Sequence, residues 1–336
     1  MSKKVYGYNT KNLKLEEQYN TARKLDVKFG LAYDSFRKNI DRPYHVYKDR
    51  YWSYMKADQY NDLYPKEGVE VEPYKRANFP KILFFDLETS PIHAYVWKIF
   101  KEYVNPEFIV DDWHLLTWSA KWLFEDKVYN AKLTKDELSR HDDSRICHSL
   151  WELLDEADII IAHNLKKFDE RVANTRFLVN GLTPPSPYRT IDTLITLKKW
   201  FRFTSNRLDY VNNRLGLNRK IHTDISLWRR CMELDMSAMD EMQGYNDGDV
   251  IILEELYLLL RPWIKPHPNV GVFMDEMNSV CAYCGSSSLE PTGKEYVTNV
   301  GRYSVYRCND CGGYSRGRTT NMEKDIRKYL NTGVAR

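Results

Sequence analysis

The stretch Phe84-Phe85-Asp86-Leu87-Glu88-Thr89 closes an apolar run with two carboxylates set two residues apart. In an extended chain residues i and i+2 share a face, so Asp86 and Glu88 project together while Leu87 turns to the core. Two adjacent carboxylates beside a buried strand repel each other and are costly to desolvate unless a cation lies between them. A divalent metal held by oxygen ligands is the natural partner. A second acid, Asp169, follows Ala162-His163-Asn164-Leu165-Lys166-Lys167-Phe168, where a buried run gives way to a polar turn and a helix starts. A third group is Tyr245-Asn246-Asp247-Gly248-Asp249. On a helix Tyr245 and Asp249 stand one above the other at i and i+4, and Asp247 points elsewhere. Singly, each piece has a plain explanation, Asp169 as a helix N-terminal acid and Asp249 as a solvated charge. Their succession along one chain favours a shared site.

Cysteines supply a second constellation. Cys281-Ala-Tyr-Cys284-Gly285 and Cys308-Asn-Asp-Cys311-Gly312 are two Cys-x-x-Cys knuckles, each followed by a glycine that lets the backbone turn around a thiolate. Four thiolates so spaced favour a closed tetrahedral Zn²⁺ site of structural type. Cys147 and Cys231 stand alone in helical patterns and read as small buried hydrophobes. Around the pairs, Arg302, Tyr303, Tyr306, Arg307, Tyr314, Arg316 and Arg318 interleave basic and aromatic side chains. That pattern suits single-stranded nucleic acid; a ribbon that only stabilises the C-terminus or docks a protein is the alternative.

These groups need elements to position them. Lys81 to Asp86 and Asp158 to Ala162 are nearly continuous apolar runs, as expected of strands buried on both faces, and His114 to Trp122 alternates like a further strand. Arg145 to Ala157, Phe168 to Val179 and Ser237 to Leu260 have helical period, with Asn180-Gly181 and Pro262 as stops. Asp192 before Thr193-Leu194 reads as a helix N-cap. Strands alternating with helices predict an α/β sheet flanked by helices. Upstream, Leu15, Tyr19, Ala22, Leu25, Leu31, Phe36 and Ile40 recur at near-helical spacing around Gly30. Residues 1–50 are therefore expected to be helical, as a helix-turn-helix with Lys24, Lys28, Arg37 and Lys38 on its basic side or as a plain hairpin. Residues 51–78 read as a linker or wrapping arm, residues 79–266 as the α/β domain, residues 278–318 as the zinc ribbon and residues 319–336 as a tail.

A net charge of +3 is too small to draw nucleic acid by a global field, so attraction has to come from local patches. Lys166, Lys167, Lys198, Lys199, Arg202 and Arg207 form interrupted basic clusters near the acidic motifs, and most such residues are simply a solvated face. No apolar run reaches the length of a membrane span, and the Met1-Ser2-Lys3-Lys4 start has no hydrophobic leader core. A cytoplasmic protein whose cysteines stay reduced is expected.

The ordered motifs Asp86-x-Glu88, Asn164-x-x-x-Phe168-Asp169 and Tyr245-x-x-x-Asp249 resemble those of the tyrosine-bearing DEDD (DEDDy) 3′–5′ exonucleases of the ribonuclease H-like superfamily, a branch that includes the proofreading domains of several DNA polymerases. The similarity runs through roughly residues 80 to 262, including Asp192-Thr193-Leu194 and a helical insert from Phe203 to Leu217. It implies a ribonuclease H-like mixed sheet flanked by helices. It also implies two Mg²⁺ or Mn²⁺ ions on Asp86, Glu88, Asp169 and Asp249, with Tyr245 orienting the attacking water. Hydrolysis of single-stranded nucleic acid from the 3′ end, DNA favoured, would yield nucleoside 5′-monophosphates. Substrate contacts are expected at Thr89, Asn164, Phe168, Asn206 and Arg207, with core packing the competing role for Phe168. His163 is assigned a structural role, because the sister branch places its histidine where this chain has Tyr245. Protein partners implied are a polymerase or another replication or repair protein, acting in trans. The competing functions are a non-catalytic DNA-binding protein built from helix-turn-helix and zinc ribbon, and a structure-selective endonuclease on the same fold.

Overall fold

The computed structural model describes residues 5–9, 15–19, 46–47, 50–53, 79–98, 100, 103–218, 223–274 and 278–334. The chain divides into two compact units, Met1–Arg76 and Ala77–Arg336.

In the first unit the described residues form an antiparallel sheet of β1 (Val5–Asn9), β2 (Leu15–Tyr19), β3 (Val46–Tyr47) and β4 (Arg50–Ser53), in the order β2-β1-β4-β3. This corrects the expected helix at its start. Leu15 and Tyr19 sit at i and i+4, yet the segment between them pairs with Val5–Tyr8, and that non-local ladder overrides a two-residue pattern. Strand β4 likewise straddles the expected boundary, with Arg50 at the end of the stretch expected to be helical and residues 51–53 in the expected linker. The rest of the proposed helical pair, from Ala22 to Ile40 with its four basic residues, lies outside the described residues.

The second unit is organised around β5 (Ile82–Thr89), followed by β6 (His93–Ala94), β7 (Ile109–Asp111), β8 (Leu115–Trp122), β9 (Val128–Lys132), β10 (Ile159–Ala162) and β11 (Arg189–Asp192). Among the described residues five of these make one mixed sheet, in the order β11-β10-β5-β8-β9. Strand β5 is central, parallel to β10 and antiparallel to β8, while β10 runs parallel to β11. Ile82 to Phe85, Ile159 to Ala162 and all of β8 are buried, which is why these strands read as apolar runs without clean alternation.

Helices cover the sheet. They are α1 (Lys135–Arg140), α2 (Ser144–Glu156), α3 (Asp169–Val179), α4 (Thr193–Trp200), α5 (Leu208–Leu215), α6 (Ile225–Met232) and α7 (Met236–Leu260). Helix α2 buries Ile146, Cys147, Leu150 and Leu154, one helical stripe. It is tied to its surroundings by Asp143, whose carboxylate accepts from Leu115 N (2.9 Å), Arg176 Nε (2.6 Å) and Nη2 (2.7 Å), and Asn180 Nδ2 (2.9 Å). Burial pushes this carboxyl up, but the Arg176 guanidinium and the other donors outweigh that and hold it below its ordinary range. Helix α7 crosses the sheet and buries Met239, Met242, Tyr245, Asp249, Leu253, Leu256 and Leu260 along its length. No helix among the described residues is long and apolar enough to cross a membrane.

Beyond α7 come β12 (Leu289–Thr298), β13 (Gly301–Cys308), β14 (Tyr314–Arg316) and a final turn of helix, α8 (Lys324–Arg327). The three strands form an antiparallel sheet carrying the cysteine pairs. It is seated on the connection after α7: Val270 N donates to Ala282 O (2.9 Å), and the His267 ring lies 5.5 Å from that of Tyr283.

Candidate active site and metal centres

Asp86 and Glu88 lie within β5, on the face opposite Phe85 and Leu87, directly across from Ser119 and Thr117 of β8. Helix α7 brings Asp249 to them. One oxygen from each of Asp86, Glu88 and Asp249 lies within 4.8 Å of the others. Asp249 is 2% exposed, and Tyr245, one turn earlier on the same helix face, is 8% exposed. Asn246 donates from Nδ2 to Asp86 Oδ2 (3.0 Å), locking the strand acid to the helix. This buried asparagine was not singled out from the sequence. The signal was available, since Asn246 lies one turn after Gln243 and three residues before Asp249, between the apolar Met242 and Val250.

The remaining polar residues there hold α7 to the sheet. Asp247 accepts from Ser119 Oγ (2.6 Å), Gln243 Nε2 (3.0 Å) and Asn130 Nδ2 (2.9 Å), and is not part of the three-acid cluster. Gln243 accepts from Thr117 Oγ1 (2.5 Å), and Lys121 pairs with Glu254 further along.

Asp169 is the first residue of α3 and is 1% exposed. Its Oδ2 has no hydrogen-bond partner among the described residues. Burial, reinforced by the charges of Asp192 and Glu88, pushes this carboxyl up to about 8. A carboxylate that is deeply buried, unpartnered at one oxygen and next to another acid is costly without a cation. The turn that presents it is fixed by Asp192, which accepts from Asn164 N (3.3 Å), Lys166 N (3.1 Å) and Ile195 N (3.0 Å). Asp192 is thus the N-cap of α4, as its sequence suggested, and also the clasp of the turn before Asp169. Asn164 takes a left-handed φ of 85°, a conformation asparagine tolerates better than most residues.

A cleft of about 620 Å³ is lined by Asp86, Tyr245 and Asp249, together with His163, Lys198, Asn206 and Arg207. Of the expected substrate contacts, Asn206 and Arg207 are in this wall, and the buried Asn206 Oδ1 has no hydrogen-bond partner among the described residues. Thr89 ends β5, Asn164 sits in the turn, and Phe168 is the 39% exposed N-cap of α3, so none of the three is in the cleft wall itself. The exposure of Phe168 argues against plain core packing. His163 bonds Thr193 Oγ1 through Nδ1 and Asn206 O through Nε2, both at 2.9 Å, which ties the two sides of the cleft together.

Cys281, Cys284, Cys308 and Cys311 converge with all four sulfurs within 4.8 Å of one another. The Cys281–Cys311 and Cys284–Cys308 sulfurs are 3.6 Å apart, too far for disulfides. Ligands about 2.3 Å from one tetrahedral ion would sit roughly 3.7 Å from each other, so the cluster fits zinc. Gly285 and Gly312 take φ of 73° and 72°, the turn expected after each knuckle, and donate to Cys281 O and Cys308 O. Hydrogen bonding from Cys284 favours a Cys281 thiolate, whose presence pushes the Cys284 thiol up, while burial and then the Cys281 charge push the Cys311 thiol up, so full ionisation calls for a cation. Arg316 lies 4.3 Å from the Tyr303 ring and 5.6 Å from that of Tyr296, an aromatic partner absent from the sequence reading.

A family model described as RNase_H superfamily matches residues 122–261. The fold of this domain is ribonuclease H-like. The matched stretch includes Asp169, Tyr245 and Asp249, while Asp86 and Glu88 lie ahead of it on the central strand of the same sheet. Among solved structures, the family B DNA polymerase of the hyperthermophilic archaeon Pyrobaculum calidifontis matches at 15% identity with a TM-score of 0.42. That match covers 55% of this chain and 25% of the polymerase. No curated protein matches this sequence.

Proposed function

We propose that this chain is a metal-dependent 3′–5′ exonuclease of the DEDDy type that hydrolyses single-stranded nucleic acid, DNA favoured, to nucleoside 5′-monophosphates. The observation that carries the reading is the meeting of Asp86, Glu88 and Asp249 within 4.8 Å on a ribonuclease H-like sheet, Asp86 and Asp249 lining a cleft shared with Tyr245. The donor set is all oxygen and suits two Mg²⁺ or Mn²⁺ ions, with Asp86, Glu88, Asp249 and Asp169 as their holders. Such ions, when bound, supply Lewis acidity to a scissile phosphodiester and to its attacking water.

The rest falls to the chain's own side chains. Tyr245, one turn from Asp249, orients water by a hydrogen bond, since an ordinary tyrosine with a pKa near ~10 is a poor proton acceptor at neutral pH. Asn206 and Arg207 stand in the cleft wall, where Arg207 offers a guanidinium to the terminal nucleotide. Phe168 offers an exposed ring to the terminal base. The four-cysteine ribbon holds one structural Zn²⁺ and presents Tyr303, Tyr296 and Arg316 to nucleic acid. Incubating the protein with 5′-labelled single-stranded DNA and RNA, with Mg²⁺ or Mn²⁺ and with EDTA as control, tests the reading. Stepwise shortening from the 3′ end that EDTA abolishes supports it, and internal cutting or no metal-dependent cutting refutes it.

A further inference from the structure

Helix α4 ends in Lys198-Lys199-Trp200, and the turn after α7 places Trp263 and Lys265 beside it. The Lys199 Nζ lies 5.0 Å and the Lys265 Nζ 4.0 Å from the centroid of the Trp200 ring. Trp263 is 60% exposed and meets Phe201 edge-on with centroids 5.5 Å apart. One indole therefore gathers two ammonium groups, an arrangement each cation gains from singly but in which the two repel. Among the described residues no carboxylate pairs with either lysine, nor with Lys198, Arg202 or Arg207. Concentrated positive charge without an acidic partner, beside one exposed and one half-buried indole, is the chemistry that binds a flexible polyanion carrying aromatic bases.

Position strengthens the case. Lys198, on the same helix turn, is in the wall of the carboxylate cleft, so the patch begins where the cleft ends. At its other side Lys265 stands two residues before His267, whose ring packs on Tyr283 of the first cysteine knuckle. The patch thus adjoins the cleft wall through α4 and is followed in the chain by the segment on which the ribbon is seated.

We propose that Trp200, Lys199, Lys265 and Trp263 form a second binding patch that grips a single-stranded polynucleotide upstream of the end held in the cleft. The proposal rests on the exonuclease reading for the direction of the strand, but the grip itself does not require hydrolysis. Stacking on the exposed Trp263 indole needs unpaired bases, while Trp200 holds the two lysines in place, so the patch favours single strands over duplex. Ribose and deoxyribose strands share the recognised chemistry, and the two sugars are separated by the test.

The test is fluorescence anisotropy on the full chain in EDTA, with labelled oligo-dT and oligo-U ladders of about two to twelve nucleotides. Affinity should climb with length on at least one ladder, and that ladder names the sugar. Lys199→Ala with Lys265→Ala, both exposed, should remove about tenfold of the gain and lower the log–log salt slope by about 1.4. Trp200→Ala should lose the gain while Trp200→Phe keeps most of it, which a folding defect would not reproduce. Affinity independent of length on both ladders, or a gain equal in wild type and variants, overturns the patch. Hydrolysis of the shortest oligomer with Mn²⁺ reports separately on the cleft. Cutting without length gain rejects the patch alone, and length gain without cutting rejects only the exonuclease reading.

Discussion

Replacing Asp86 by Asn should make the metal-free protein more stable while abolishing its response to divalent ions. Asp86, Glu88 and Asp249 have oxygens within 4.8 Å of one another. At that separation two unit charges repel by about 3 kcal/mol at an effective dielectric of about 20. Asp86 and Glu88 are half-buried, so solvent access reduces this to about 1–2 kcal/mol per pair. The substitution removes two such pairs, or about 2–4 kcal/mol of repulsion, and leaves an amide oxygen that still accepts from Asn246. At roughly 2–3 °C per kcal/mol, the variant should melt about 4–12 °C above wild type in EDTA. Wild type should gain about 2.7 kcal/mol when Mg²⁺ or Mn²⁺ stands at roughly a hundred times its dissociation constant, and the variant should gain little. Differential scanning calorimetry with and without the ions measures both shifts. A variant less stable than wild type in EDTA, or a wild type whose melting ignores both ions, refutes the repulsion argument.

Further outcomes follow from other contacts. Tyr245→Phe should slow turnover by about a hundredfold while keeping the divalent-ion melting shift, as expected of a group that aims water; single-turnover kinetics would read it, and an unchanged rate argues against that role. Arg176→Ala strands the buried Asp143 carboxylate and should cost about 3–5 kcal/mol in urea unfolding. Because Asp143 is held below its ordinary range when folded, its contribution to wild type is present above about 3.9 and fades as pH falls through the folded value. The variant should show a flatter acid limb than wild type. Cys284→Ser should reduce bound zinc from one ion per chain to none in elemental analysis and lower the melting temperature. Asp192→Ala removes a helix cap worth about 1–2 kcal/mol, and by freeing the turn before Asp169 should also weaken divalent-ion binding in calorimetry.

Much of the sheet was legible because its central strands are short and apolar on both faces. Lys81 to Asp86 led to β5 and Asp158 to Ala162 to β10, although β5 runs on to Thr89 because β8 pairs with it beyond the acids. The long period of α7 showed Tyr245 and Asp249 on one face. Other elements were weaker signals. Strand β11 is four residues long with two buried, and α4 to α6 span only two turns each. Helix α1 was readable and missed, since Thr134 and Glu137 form a capping box at its start. Around Leu15 a helical spacing of two residues gave way to strand pairing, a non-local choice that no window of sequence contains.

The site was legible in its charges and less so in its supports. Acids at i, i+2 on a strand and a tyrosine and acid at i, i+4 on a helix are local geometry, so their sharing of faces followed from periodicity alone. That Asn246 would reach Asp86, or that Asp192 would clasp the turn at Asn164 and Lys166, depends on segments 26 to 160 residues apart. Such contacts are set by packing and leave no mark in spacing. Phe168 and Asn164 were expected as substrate contacts, yet only Asn206 and Arg207 are in the cleft wall, because the turn carries Phe168 to the helix start instead.

The central claim is that the carboxylates of β5, α3 and α7 form a metal-dependent exonuclease site. Its most direct test is the digestion of a 5′-labelled single-stranded oligonucleotide by wild type and by Asp86→Asn, with Mn²⁺ and with EDTA. A ladder shortening from the 3′ end with wild type and Mn²⁺, absent with EDTA and absent in the variant, is the expected result. Equal turnover by the variant, or cutting that persists in EDTA, would contradict the account.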